Sequence, residues 1–393
     1  MGQWNEAKIG EIAEVKGGKR IPKGRKLIKE PNSHPYIRIR NLGKTKYMQL
    51  NTDYEYVDEE TQQMIARYIV NQGDILISVV GTIGLVGIVG NTLDKANQTE
   101  NCDKIINIKK VLSEYLYYYL VSSFGQDEIK KGTVGAVQPK LPLKNVKDIL
   151  VKYPPIKEQK QIVEILSAID EKIELNETIN NNLLQQLHVL YLRLFCDSAM
   201  DTPLGDVVAT TSGGTPSRKH DEYYSDSSIC WVKSKELLGN YIHETEEHIN
   251  DLAIKKSSAK LLPEHSVLIA MYGATVGAYG VISKPMTCNQ AVCALLCNEN
   301  YPYTYLFQIA YESQQKFINL AVGSAQQNIS QVLIKHLNLH SDLDIIQKFH
   351  GFALPMHKEI ESLQAENMRL SALRDNLLPK LMSGELDVSN IDL

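Results

Sequence analysis

Residues Ile156 to Phe195 read IKEQKQIVEILSAIDEKIELNETINNNLLQQLHVLYLRLF, with no Gly and no Pro. Ile162, Leu166, Ile169, Ile173, Leu183, Leu187, Leu190 and Leu194 fall at steps of four and three once Asn176 and Asn180 fill the middle of the series. That is the spacing of a coiled-coil seam. Pro154-Pro155 blocks helix upstream, and at 1.5 Å per residue the segment runs about 60 Å, the length of a spacer or docking rod. A buried amide at Asn176 or Asn180 weakens such a seam but fixes its register, because a shifted partner leaves it unpaired. Near the C terminus Ile360, Leu363, Asn367, Leu370, Leu377 and Leu381 repeat the pattern. The spacing predicts two long helices that pack on each other.

A chain of 393 residues, 43% of them hydrophobic, has the material for two or three packed domains. Ile75 to Val89 is interrupted by polar and Gly positions before it could span a membrane, and no secretory segment is evident. A soluble, cytoplasmic protein without membrane contact is expected, with Cys102, Cys196, Cys230, Cys288, Cys293 and Cys297 as reduced thiols. The net charge of -4 argues against a surface that binds polyanions everywhere. It leaves room for a local basic face: Lys16, Lys19, Arg20, Lys23, Arg25, Lys26 and Lys29 lie in an acid-free run, while the acids concentrate in the long helices and in Asp53 to Glu60. Segregated charge is the expectation.

The chain then repeats itself. Trp4 to Val15, read as a strand entering the Gly17-Gly18 turn, is answered by Pro203 to Thr210 and Gly213-Gly214. Tyr36 to Leu42 and Trp231 to Leu237 read as short apolar-basic strands, and Asp58 to Arg67 and Asp251 to Leu261 as polar helices. The turns Gly81-Thr82-Ile83-Gly84 and Gly273-Ala274-Thr275-Val276-Gly277 correspond, as do Asn97-Gln98 and Asn289-Gln290. A Tyr-rich helix from Tyr115 to Gly132 matches one from Tyr305 to Gly323, and strands at Val146 to Val151 and Ile334 to Leu339 lead into the two long helices. The fold predicted is mixed α/β (α+β), one unit written twice. The boundaries are 1–155 for the first domain, 156–200 for its helix, 201–342 for the second domain, 343–386 for its helix and 387–393 for a tail. Two equivalent units packed through their helices about a two-fold axis make those helices antiparallel and give a calliper, whose two ends match the dyad of duplex DNA. The loops differ, GGKRIPKGRK against GGTPSRKHDE, so the two domains should read different words.

This order of domain, long helix, domain, long helix resembles the specificity subunit of type I restriction-modification systems. The resemblance rests on Trp4 to Gly18, GGTPS at Gly213 to Ser217, the paired glycine turns, Pro154 to Gln159, and LLPKLMSGEL at Leu377 to Leu386. It implies two target-recognition domains on a bipartite, asymmetric double-stranded DNA site, a chain that is not itself an enzyme, and helices that dock two modification subunits and also restriction and translocase subunits. S-adenosylmethionine, Mg and ATP would then belong to those partners, with no cofactor and no metal in this chain. In two respects the second half departs from the pattern: Asp342 to Asp344 stands where the first half has Pro-Pro, and Pro355 falls inside the expected helix, so that helix should start later or kink.

Candidate DNA contacts follow from side-chain chemistry. Lys19, Arg20, Lys23, Arg25 and Lys26 form a Gly/Pro-interrupted loop suited to phosphates. Arg38, Arg40 and Asn41 suit guanine and adenine edges. In the second domain Ser217, Arg218, Lys219, Lys233 and Lys235 hold the corresponding places, with Tyr272, Gln326, Gln327 and Asn328 as further polar candidates. Other motifs carry less. His243 and His248 in HETEEH are five apart, which on a helix points them away from one another. Cys288, Cys293 and Cys297 flank an apolar run that reads as a buried strand. Tyr153-Pro154-Pro155-Ile156 lacks the leading Asn or Asp of an amino-methyltransferase motif, and Gly81, Gly84 and Gly87 match neither a phosphate loop nor a dinucleotide fingerprint. The rival reading is a tandem-domain coiled-coil adaptor for protein or RNA. It differs in leaving the outer apolar residues Val163, Ile165, Leu184, Leu192 and Leu373 without a partner subunit to cover them.

Overall fold

The computed structural model describes residues 4–322 and 328–388. Two compact units emerge, one from 1–173 with 369–393, the other from 174–368. Each unit takes in a segment of both long helices. Ile156–Phe195 is a single helix, and so is Leu343–Ser383. The later start expected for the second helix is not seen: it begins at Leu343 and passes through Pro355. A proline there removes one backbone donor and crowds the carbonyl four residues back. That residue is Gly351, exposed like Pro355 itself, so water can serve the freed carbonyl.

In the first unit a five-stranded sheet runs in the order Glu14–Gly17, Cys102–Ile106, Ile75–Ser78, Val86–Val89, Tyr47–Met48. The second unit repeats it as Ala209–Ser212, Val292–Leu296, Val267–Ala270, Tyr279–Ile282, Tyr241–Ile242. Both central strands are buried throughout and, Ser78 apart, apolar, because both faces of the sheet are covered. Ile75 and Ile77 face a core with Tyr115, Tyr118 and the long helices, while Leu76 faces Ile37, Met48 and Val89. Val267 and Ile269 against Leu268 and Ala270 divide in the same way. Each unit adds a three-stranded sheet, centred on Pro35–Ile37 or Ile229–Val232, and a two-stranded pair.

Several local expectations are corrected. Trp4 to Val15 is two strands, Asn5–Lys8 and Glu14–Gly17, separated by the helical turn Ile9–Ile12, and the second unit repeats this at Met200–Pro203, Leu204–Val207 and Ala209–Ser212. The Tyr-rich helix of the first unit is broken into Ser113–Val121 and Ser123–Gly132, where Ser122 turns extended and its hydroxyl caps the second piece, whereas its counterpart Tyr303–Val322 is continuous. Val146 to Val151 is the end of the helix Leu143–Asp148 plus the strand Leu150–Tyr153, and Ile334 to Leu339 likewise divides into Gln331–Lys335 and Asn338–His340.

Strand pairing also shifts the internal alignment. Tyr36 pairs with Asn97, and Trp231 with Thr287, so Asn97-Gln98 corresponds to Thr287-Cys288 rather than to Asn289-Gln290. Gly18 corresponds to Gly213, since their N–H groups bond the carbonyls of Cys102 and Val292. Both must be glycine: a Cβ would lie 1.9 Å from the Thr99 carbonyl oxygen at Gly18 and 2.1 Å from that of Cys288 at Gly213. Gly81, Gly84, Gly273 and Gly277 all have left-handed φ, which makes the two turns equivalent.

Within each unit the helix segments run antiparallel. In the first, Asp170 meets Arg374 at 3.1 Å, while Ile162 and Leu166 share a core with Leu377 and Leu381. Tyr118 also donates to Asp170, at 2.7 Å, and buried Lys46 donates to Ser167. Ile169 is buried and Ile173 half-buried. In the second unit Asn176 donates across the seam to Asn367 at 2.8 Å and to Glu366 at 2.7 Å, the register-fixing pairing expected of a seam amide. Asn180 is buried there too, and Leu187 and Ile360 join one core, with Leu183 packed against it. Leu363 is buried and Leu370 half-buried. Past Leu187 the stripe moves to Tyr191 and Phe195, leaving Leu190 and Leu194 half-buried. Among the described residues no helix is long and apolar enough to cross a membrane.

Candidate nucleic-acid interface

The two three-stranded sheets bring the basic candidates to one register. Tyr36 and Trp231 are equivalent by pairing, so Arg38 and Lys233 are too, and each precedes a single 3-10 turn, Ile39–Asn41 or Ser234–Glu236. The turn's last side chain accepts the backbone N–H of that cation: Asn41 from Arg38 at 2.8 Å, Glu236 from Lys233 at 2.6 Å. Asn41 is accordingly buried and occupied as a cap. Arg40 and Lys235 follow at equivalent, exposed positions.

In the first unit a cleft of about 710 Å³ opens beside this edge, lined by Arg20, Tyr36, Arg38, Arg40, Thr99 and Glu100 among others. Lys19 is exposed, its ammonium 5.9 Å from the centre of the Tyr68 ring, and Lys23 and Lys26 are exposed. In the second unit the Arg218 guanidinium lies 4.3 Å from the Tyr224 ring centre and 5.5 Å from that of Trp231, whose indole N–H donates to the Gly214 carbonyl. Ser217 and Lys219 are exposed, the Ser217 hydroxyl accepting the Lys219 N–H. Tyr272, 43% exposed, forms a bridge with Asn328, so these two candidates meet. Gln326 and Gln327 lie outside the described residues.

Charge is not segregated as the linear sequence suggests. Acids from Asp53 to Glu60 fold onto the basic loop: Arg25 pairs with Asp58 and Glu60, and Arg38 and Arg40 pair with Glu55 at 2.5 and 3.0 Å. Arg20 pairs with Glu100, Lys235 with Glu246, and both Arg218 and Lys233 with Glu247. Lys233 is the main reason the Glu247 carboxyl titrates below its usual range; burial opposes it, and Arg218 adds to the lowering. Glu55 and Glu247 escaped the sequence reading because their partners are set by strand pairing. The available signal was an acid at or just before the second strand after each basic turn, Glu55 opening Glu55–Tyr56 and Glu247 preceding His248–Ile249.

His243 and His248 do not share a helix. The segment is the strand Tyr241–Ile242, a loop and the strand His248–Ile249. Folding instead brings Cys230, Glu244 and His248 within 4.8 Å of one another. Burial raises Glu244, but donors Cys230, His248 and Lys284 outweigh it and pull the carboxyl down to about 2. The Lys284 ammonium, 3.2 Å from Glu244, already supplies a positive charge there. Cys288 and Cys293 sit in buried strands, with thiols pushed up to about 12 by burial. All six cysteines are free.

A repeated sheet with cations at one register, built on antiparallel helices, defines a tandem recognition protein. The chain belongs to the type I restriction modification DNA specificity domain family, whose model matches residues 1–185 and 199–341. It is similar to the type I restriction enzyme MjaIX specificity subunit of Methanocaldococcus jannaschii, 26% identical over 99% of this chain and 94% of that one. It is also similar to the type I restriction enzyme HindI specificity subunit of Haemophilus influenzae, 22% identical over 98% of this chain and 100% of the relative. Among solved structures, the S subunit of a type I restriction-modification system from M. genitalium shares the fold, with a TM-score of 0.59 at 15% identity over 97% of this chain and 96% of that one. These relationships support the specificity-subunit reading and not the protein- or RNA-binding adaptor.

Proposed function

We propose that the chain is the DNA-reading, non-catalytic subunit of a type I restriction-modification complex in the cytoplasm, each domain contacting one half of an asymmetric bipartite site. The observation that carries this is the shared register of Arg38 with Lys233 and of Arg40 with Lys235 on otherwise divergent loops. An arginine can grip guanine through two hydrogen bonds, whereas a lysine presents a point charge, so equal frames with unequal cations read unequal words. Lys19, Lys23, Lys26, Ser217 and Lys219 on the loops suit phosphates, which position the protein without carrying sequence.

The helices are the docking surface for two modification subunits, with restriction and translocase subunits joining them. Supporting this, the second unit has a groove of about 650 Å³ lined by Val189, Leu190, Phe352 and Met356 among others, with Val189 63% and Phe352 55% exposed. Leu192 and Leu373 are exposed as well, while Val163, Ile165 and Leu184 are half-buried against their own cores. S-adenosylmethionine, Mg and ATP are assigned to those partners.

The test is selection from a random duplex library at moderate salt, with the chain co-expressed with its modification subunits. Two fixed words around an unspecified gap are expected. R38A/R40A should blur one word and K233A/K235A the other. Binding that enriches nothing and simply fades with salt would refute the proposal.

A further inference from the structure

Glu55 and Glu247 occupy the same place in their units. Glu55 pairs opposite Tyr36, and the Glu247 carbonyl accepts the N–H of Trp231 at 3.1 Å. Each holds two cations of the reading edge: Glu55 holds Arg38 and Arg40, Glu247 holds Lys233 and Arg218. One cation of each pair, Arg38 or Lys233, is itself register-equivalent. A neighbouring contact behaves otherwise: the ion pair of Arg20 with Glu100 gives way, at Gln290, to a neutral bond from Thr215. The carboxylate against the edge cations thus recurs where the surrounding chemistry changes.

We propose that Glu55 and Glu247 are specificity-determining residues that brake non-specific binding by occupying the reading cations until a matching site replaces them. This rests on the DNA-reading function above. A free exposed cation would gain from any duplex, because each neutralised phosphate releases condensed counterions whatever the sequence. A cation already held by a carboxylate must exchange one anion for another, and the displaced carboxylate then stands beside the phosphates and repels them. Only a site that also satisfies the base-edge donors offsets that exchange. The Arg38, Arg40 and Arg218 side chains are 45%, 52% and 57% exposed and Lys233, the most covered of the four cations, 20%, so water and a phosphate can reach each pair and the exchange is reversible.

The experiment compares Glu55→Gln and, independently, Glu247→Gln in the full chain assembled with its modification subunits, using a duplex enriched by the unmodified complex and a scrambled duplex of equal length. Freeing two cations should steepen the dependence of log affinity on log salt for the scrambled duplex by about 2, at roughly 0.9 per phosphate contact. Scrambled-duplex affinity should rise roughly fivefold or more near 0.1 M salt, with a smaller gain on the enriched duplex, so selectivity falls. Asp127→Asn, which removes an exposed carboxylate away from the edge, should leave the slope unchanged. An unchanged slope in both Gln variants overturns the proposal. So does a loss of affinity for the enriched duplex alone, which would make the carboxylates base contacts. If the unmodified complex enriches no duplex, the DNA-reading function has failed before any variant is compared.

Discussion

Lowering the pH should weaken the second unit through one histidine. His357 is buried, its Nδ1 shares a hydrogen bond with the Tyr241 hydroxyl at 2.8 Å, and its Nε2 is buried without a partner. Burial above all, reinforced by the neighbouring His350 and His265, pulls its pKa from 6.5 down to about 3. Its other close neighbours are the Phe307 and Tyr303 rings, and Glu361 approaches through His265 at 3.4 Å. With the folded value depressed, the unfolded chain takes up the proton first. The folded state therefore carries no penalty at pH 7 and loses stability as pH falls from about 6.5 towards 3. Each tenfold difference in proton affinity between the folded and unfolded chains is worth about 1.4 kcal/mol, so by pH 5 the loss from this group alone is about 2 kcal/mol. The assay is denaturant unfolding followed by Trp231 fluorescence in a W4F background, since Trp4 and Trp231 are the two tryptophans. His357→Gln keeps a side chain able to donate to or accept from Tyr241 and should remove about 2 kcal/mol of the difference between pH 7 and pH 5. Parallel pH profiles for the two proteins would refute the reasoning.

Three further outcomes follow from packing. Asp170→Ala removes the acceptor shared by the Tyr118 hydroxyl and the Arg374 guanidinium and should cost about 2 kcal/mol in unfolding of the first unit, limited because Arg374 is partly exposed and keeps Asp375, and Tyr118 keeps Ser167 at 3.4 Å. Asn176→Leu leaves Glu366 and Asn367 without their seam donor and should cost about 1–3 kcal/mol, of which Asn367→Leu in the same chain restores part, a coupling read by a double-mutant cycle. Gly213→Ala drives a Cβ into the Cys288 and Asn289 carbonyls and should abolish soluble expression or lower the Tm sharply, whereas Gly73→Ala, at φ +86° in open space, should cost only about 1 kcal/mol.

The repeat, the paired glycine turns and the seam amides were legible because each depends on local spacing: Asn176 bonds Asn367 across a seam already marked by the apolar steps around it. The cations at Arg38 and Lys233 were legible by residue type and the cap formed by Asn41 was not, since an amide's role depends on whether a backbone N–H lies within its reach. The partners Glu55 and Glu247 come from strand pairing, as does the two-residue offset that matches Asn97 to Thr287. Such pairing is set by non-local contacts that no window of sequence contains. Pro355 misled for a different reason: its cost depends on whether water can reach Gly351.

The core of the first unit includes Leu381, Met382 and Val388 beside Ile9 and Ile75, and the Trp4 ring lies against Gly384. On the ribosome, where N-terminal parts ordinarily fold first, this chain must reverse the order. Residues 174–368 form a continuous stretch that can close as soon as it is made. The unit begun at the N terminus waits with an open core until residues 369–388 have emerged. Synthesis is thus the period in which the first half is most open to proteases and chaperones, and a chain stopped short of that point would leave its first-made domain unfinished while its second stands complete.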